Sequence, residues 1–174
     1  AILVHSKVAE EAFVAAGYGV HRREIMYNDF IIVGPSADPA RVGAAETVID
    51  AFQRIAVNQS TFISRGDDSG THKKELSLWS AAQQDPATFV FWYKSVGAGM
   101  GASLNSASAM DGYIMADRAS WLNFGNKGNL KLLFAGDSKL FNQYAYLPVS
   151  PDRYAHVKAR AAQVLENWLV SPRA

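Results

Sequence analysis

There is no cysteine among the 174 residues, which excludes disulfide staples, thiolate catalysis and zinc–sulfur sites. No apolar run approaches the roughly 20 residues needed to span a bilayer. Phe89-Val-Phe-Trp-Tyr93 is far too short, so direct membrane insertion is not expected. An excess of one charge is lacking too: 17 Lys and Arg stand against 16 Asp and Glu, so no overall field attracts DNA or a membrane surface. The basic clusters, His21-Arg22-Arg23 and His72-Lys73-Lys74, are three residues long and read as solvated faces, with no nucleic-acid partner. No G-x-S-x-G elbow precedes a histidine that would complete a nucleophilic triad. His72 and Glu75 stand three apart without a third metal ligand, and adjacent Asp67 and Asp68 do not form a general acid–base pair. Gly97-Ala-Gly-Met-Gly-Ala102 fits a loose dinucleotide pattern but follows no first strand of such a domain; it reads as a flexible helix entry whose backbone faces a ligand. These absences lead to the expectation of a protein that is not an enzyme and carries no cofactor or metal.

What is present suffices for one good core or two small lobes, since 49% of the residues are hydrophobic. Ile2-Leu-Val4, Met26 to Val33, Thr61 to Ser64, Gly112 to Ala116, Leu130 to Phe134 and Tyr144 to Pro148 read as strands. Helical spacing predicts helices over 6–16, 46–57, 71–82, 101–110 and 118–124, another from Pro86 through Tyr93, and a long one from Arg153 to Leu169. Short strands alternating with helices imply an α/β fold with a mostly parallel sheet, whose ligands sit beyond the carboxyl ends of the strands. The chain starts without methionine, on what reads as a strand already under way, which suggests further sequence upstream.

The heptapeptide Arg65-Gly-Asp-Asp-Ser-Gly-Thr71 is the most informative string. It follows an apolar strand and opens onto a helix. The first N–H groups of a helix have no internal partner and the macrodipole is positive there, so this is a natural anion trap. Arg65 adds a planar fork matched to two oxygens, Ser69 and Thr71 add hydroxyls, and Gly70 allows close backbone approach. A plain cap is equally compatible with the local sequence, with Asp68 or Ser69 closing the helix and Arg65 paired to Asp67.

Several strings together resemble the periplasmic tungstate-binding proteins of ABC importers. They are Leu3-Val-His-Ser6 with Ala9-Glu10, Met26-Tyr-Asn-Asp-Phe30 through Val33-Gly-Pro35, Ser64-Arg-Gly-Asp-Asp-Ser-Gly-Thr-His-Lys-Lys-Glu75, Gly99-Met-Gly-Ala102 with Leu104-Asn105, and Asp117-Arg118. The resemblance implies a type II periplasmic-binding-protein fold, two lobes with mostly parallel sheets and crossover strands, the first lobe incomplete. Residues 1–34 would supply part of lobe 1 and the first crossover, 35–116 lobe 2, and 117–174 the return crossover with a C-terminal helix on lobe 1. By the same resemblance Arg65, Ser69, Gly70 and Thr71 are anion contacts, with Asp67 beside them and Ser6 a further contact. It also implies a small oxyanion ligand, tungstate or molybdate favoured over phosphate or sulfate, an ABC importer membrane subunit as partner, and a periplasmic or otherwise extracytoplasmic location. A ligand-sensing effector domain of the same fold is the alternative. Asp67 bears on the choice of anion: a carboxylate accepts but does not donate, so it suits a protonated anion unless it is turned onto Arg65 or the loop N–H groups.

Overall fold

Strands form where β-branched and aromatic residues run together, and the longest such run, Arg23–Pro35, becomes the longest strand of the computed structural model, which describes residues 1–174. The chain divides into two compact units, Ala1–Tyr27 with Asn142–Ala174, and Asn28–Phe141.

The first unit contains β1 (Ile2–Val4), α1 (Lys7–Ala15), the start of β2 (Arg23–Pro35), most of β7 (Phe141–Leu147) and α6 (Ala159–Leu169). Strand β1 pairs antiparallel with β7. The C-terminal helix begins six residues later than the spacing predicts. Residues 151–157 form turns, because the Arg153 guanidinium is drawn to the C-terminal end of α1, donating to the Ala16 carbonyl at 2.8 Å and lying 4.0 Å over the Tyr18 ring. Helix α6 carries Ala161, Val164, Leu165 and Trp168 at i, i+3, i+4, i+7 spacing along an apolar groove, with Val164, Leu165 and Trp168 exposed. The buried charges here are paired: Arg22 donates to Glu10 at 2.7 Å, and His21 lies 2.7 Å from Glu166.

The second unit holds the later part of β2, then α2 (Val48–Asn58), β3 (Phe62–Ser64), α3 (Gly70–Ala81), β4 (Tyr93–Ser95), α4 (Met100–Met110), β5 (Tyr113–Asp117), α5 (Arg118–Asn123) and β6 (Leu130–Phe134). Around β3 the sheet is parallel, with β4 on one side and β5 on the other. Strand β2 runs antiparallel to both β5 and β6. Because β6 is hydrogen-bonded to β2 and α5 packs on β5, this unit runs on past residue 116 to Phe141. Two apolar clusters, one on each face of this sheet, lie entirely within it. One is built around Trp79, which is fully buried between the rings of Phe52, Phe62, Phe89, Trp92 and Tyr93 at centroid distances of 4.4 to 6.3 Å.

The helix expected from Pro86 to Tyr93 is not formed. Asp85 caps a single 3-10 turn, Pro86–Thr88, and the chain then extends into β4. The aromatic residues that resemble a helical stripe instead close the box around Trp79, and the Phe62 N–H donates to the Trp92 carbonyl at 2.7 Å, so β4 fills a parallel slot beside β3.

Candidate functional site

Strands β3 and β4 end side by side, and each leads through a glycine-containing loop into a helix. Two helix N-termini, those of α3 and α4, therefore follow adjacent strand ends. The loops are tied together: the Val96 N–H donates to the Ser64 carbonyl at 3.0 Å, and the Ala98 N–H to the Arg65 carbonyl at 3.1 Å. Glycine is required at position 66. Its φ is +59°, and a Cβ built there would meet the Ser95 hydroxyl at 1.8 Å. At Gly97, Gly99 and Gly101 a Cβ would meet nothing within 4 Å, so the α4 entry borders open space.

The Arg65 side chain turns inward and is 18% exposed. Its Nη2 donates to Asp67 Oδ2 at 2.5 Å and its Nη1 to the Thr71 hydroxyl at 3.4 Å, while its buried Nε has no partner in the protein. Asp67 is turned wholly onto the loop. Besides Arg65, it accepts from the Ser69 hydroxyl at 2.6 Å and the Ser69 N–H at 3.3 Å. Burial alone pushes the Asp67 carboxyl up, but the bonds from Ser69 and Arg65 outweigh it and hold the group below the usual carboxylate range. The Ser69 hydroxyl also caps α3, accepting from the His72 N–H at 3.3 Å. Asp68, at φ 56°, donates its N–H to His72 Nδ1.

The capping arrangement is the one observed in the loop. The cap and the Arg65–Asp67 pair exist, and they leave donors over. The first-turn N–H groups of Gly70 and Thr71 have no acceptor in the protein, the Thr71 hydroxyl keeps its proton, and Arg65 Nε is unpartnered. Arg65, Asp67, Ser69, Gly70 and Thr71 come together on one loop, with the Ser69 hydroxyl spent on Asp67. Ser6 belongs to the first unit, where it precedes α1; its N–H donates to Glu10 and its hydroxyl makes no cap bond.

Beneath the loop lies a group the sequence reading weighed only as a metal ligand. Glu75 is 2% exposed and sits one helical turn below Thr71. One carboxylate oxygen accepts from the Tyr93 hydroxyl at 2.7 Å and from Trp79 Nε1 at 3.2 Å, the Arg65 backbone N–H reaches the carboxyl, and the fully buried Ser64 hydroxyl lies beside it without a well-formed hydrogen bond. Burial dominates, and despite these donors the carboxyl is pushed up to about 7. Its signal in the sequence is spacing: Thr71, Glu75, Leu78 and Trp79 share the buried face of α3, so the acid falls on an apolar stripe. A second unanticipated pair, Arg118 with Asp29, is bidentate at 2.6 and 2.5 Å and fixes the end of β5 to β2.

Relatives match nearly the whole chain. A tungstate-binding protein, TupA, of Peptoclostridium acidaminophilum is 44% identical over 175 residues, covering 99% of this chain and 60% of its own length. The crystal structure of the tungstate ABC transporter from Geobacter sulfurreducens is 43% identical, covers 98% of this chain and 72% of that one, and superposes with a TM-score of 0.87. For the tungstate-binding protein TupA of Desulfovibrio alaskensis G20 the values are 44%, 98%, 69% and 0.83. The chain therefore spans 60% of the curated relative's length and about seven tenths of the solved chains. The PBP superfamily domain matches residues 1–173, and the chain belongs to that superfamily.

Proposed function

We propose that this chain is the anion-holding part of an extracytoplasmic solute-binding protein, which captures a tetrahedral oxyanion and delivers it to an ABC importer. One observation carries the reading: on a single loop, a guanidinium fixed by Asp67 reaches the Thr71 hydroxyl and keeps a buried, unpartnered Nε, and the N–H groups of Gly70 and Thr71 are left without acceptors. Such donors match the oxygens of a dianion, and the dipole of α3 adds to their field. The same geometry favours tungstate or molybdate over hydrogen phosphate. A protonated anion needs an acceptor, and the Asp67 oxygens are committed to Arg65 and Ser69. The N-terminus of α4 is a second set of donors in this reading. The two units correspond to parts of the two lobes of a binding protein. Relatives named for tungstate binding and for a tungstate ABC transporter support the ligand and the partner. No helix is long and apolar enough to cross a membrane. The role is binding, not catalysis.

Calorimetric titration with tungstate, molybdate, sulfate and phosphate tests this. Tungstate and molybdate are expected to bind at least tenfold more tightly than phosphate, a gap of about 1.4 kcal/mol. Arg65→Ala is expected to abolish binding while the circular dichroism spectrum is kept. Binding of none of the four, or binding unchanged in Arg65→Ala, would refute the proposal.

A further inference from the structure

Glu75 is a buried acid with no counter-ion, directly beneath the loop proposed to hold a dianion. No charged side chain acts on it from any element packed around it. Its own helix offers the Trp79 indole, β3 the Ser64 hydroxyl and the Arg65 backbone N–H, and β4 the Tyr93 hydroxyl. Helix α2 presents the apolar Phe52, its charged Asp50 and Arg54 being bonded to each other at 2.9 Å. From β5, Tyr113 turns its hydroxyl to Asp38 and the Ala40 N–H. The loop above carries the Arg65–Asp67 pair, whose charges are bonded to each other. A proton is therefore the one available means of neutralising Glu75. Thr71 is four residues ahead on the same helix, which places the Glu75 backbone about 6 Å along the axis from it, and the carboxyl reaches back toward the loop to accept from the Arg65 backbone N–H.

We propose that Glu75 sets how tightly the Arg65–Thr71 loop holds a dianion: with its proton it leaves the field of the loop positive, and without it a buried negative charge opposes the ligand. The inference rests on the anion-binding reading and extends it to a residue that does not touch the ligand. Glu75 is thus a positioning and affinity-setting group. The carboxyl ionises close to neutral pH, so the effect falls in an accessible range. At about 8–10 Å, with the ligand seated beyond the donors, and an effective dielectric constant of about 30–40, between that of a protein surface and of bulk water, a dianion and a carboxylate repel enough to change affinity on the order of ten- to a hundredfold. Linkage is reciprocal: a bound dianion makes Glu75 harder to ionise, so binding near neutral pH takes up a proton.

Calorimetry with micromolar sodium tungstate between about pH 6 and about pH 8.5 tests this, with Glu75→Gln as the control for protonation of the anion itself. The dissociation constant of the wild-type protein is expected to rise roughly ten- to thirtyfold across the window, about thirtyfold being the most that one such proton can give by pH 8.5. In Glu75→Gln it should stay level within about twofold. Near the midpoint the wild-type binding heat should vary with the ionisation enthalpy of the buffer, reporting proton uptake, and the variant's should not. Should Glu75→Gln not fold, Tyr93→Phe decides. It removes a donor to the ionised carboxylate, so the fall in affinity must move to higher pH, and an unmoved midpoint overturns the proposal. In ligand-free protein the Trp79 indole reports the ionisation by a fluorescence transition absent from Glu75→Gln. That transition with pH-independent tungstate affinity overturns the role of Glu75 and leaves anion binding standing. No tungstate binding at any pH overturns both.

Discussion

Arg65 reaches its position through Asp67, whose two oxygens bridge Nη2 and the Ser69 hydroxyl. A lysine there would keep the charge and lose the fork. Arg65→Lys is therefore expected to keep the melting temperature within a few degrees and to weaken tungstate binding more than about tenfold in calorimetry. Gly66 works through backbone shape. Gly66→Ala forces a left-handed residue onto Ser95 and is expected to cost about 1–3 kcal/mol in urea unfolding. Glu75 makes stability pH-dependent with a definite sign. Its folded-state carboxyl is raised to about 7 from an ordinary 4.5, so the folded chain holds the proton that the unfolded chain gives up. The contribution is whole below the lower value, falls as pH rises through the interval, and is gone above the upper. At about 1.4 kcal/mol per pH unit the loss is roughly 3 kcal/mol. Glu75→Gln should flatten this segment of the stability profile measured by denaturant titration. At this scale the heptapeptide was legible because capping and dipole arguments are local. Asp67's commitment to Arg65 was one of two open arrangements, and only side-chain geometry distinguishes them.

Helices and strands were legible wherever one period dominated. The β-branched and aromatic residues of 26–33 and the 3.6 spacing of 46–57 indicate β2 and α2 to within about three residues at each end. The failures share a cause. Phe89, Trp92 and Tyr93 are spaced three and four apart and mimic a helical stripe, yet they converge on Trp79 from an extended chain. Tertiary packing overrode local pattern, as it did where Arg153 is drawn away to Ala16 and Tyr18. The box has an energetic consequence. Trp79→Ala would empty a space ringed by five aromatic side chains and is expected to destabilise the second unit by about 3–5 kcal/mol in thermal or denaturant unfolding. The same change withdraws a donor from Glu75, so local packing and the ionisation beneath the loop are coupled.

Across the whole chain, burial is unevenly shared. Both apolar clusters belong to residues 28–141, whereas the first unit buries little beyond Ala145, Tyr146, Leu147 and its paired acids. Amides of β3 and β5 are thus expected to exchange with deuterium most slowly, and those of α1 and α6 at least a hundredfold faster, a gap of about 3 kcal/mol in opening energy. The α/β class was readable from alternation alone, and the superfamily from the order of the motifs. The partition into units was not, because nothing in the string of residues records which helix faces find cover. The stripe Val164, Leu165 and Trp168 governs how the polypeptide behaves in a tube. Greasy side chains left facing water bind amphiphilic dyes and glue molecules together, so the isolated chain should brighten such a dye and scatter more light as it is concentrated, and replacing Val164 and Trp168 by lysine should suppress both.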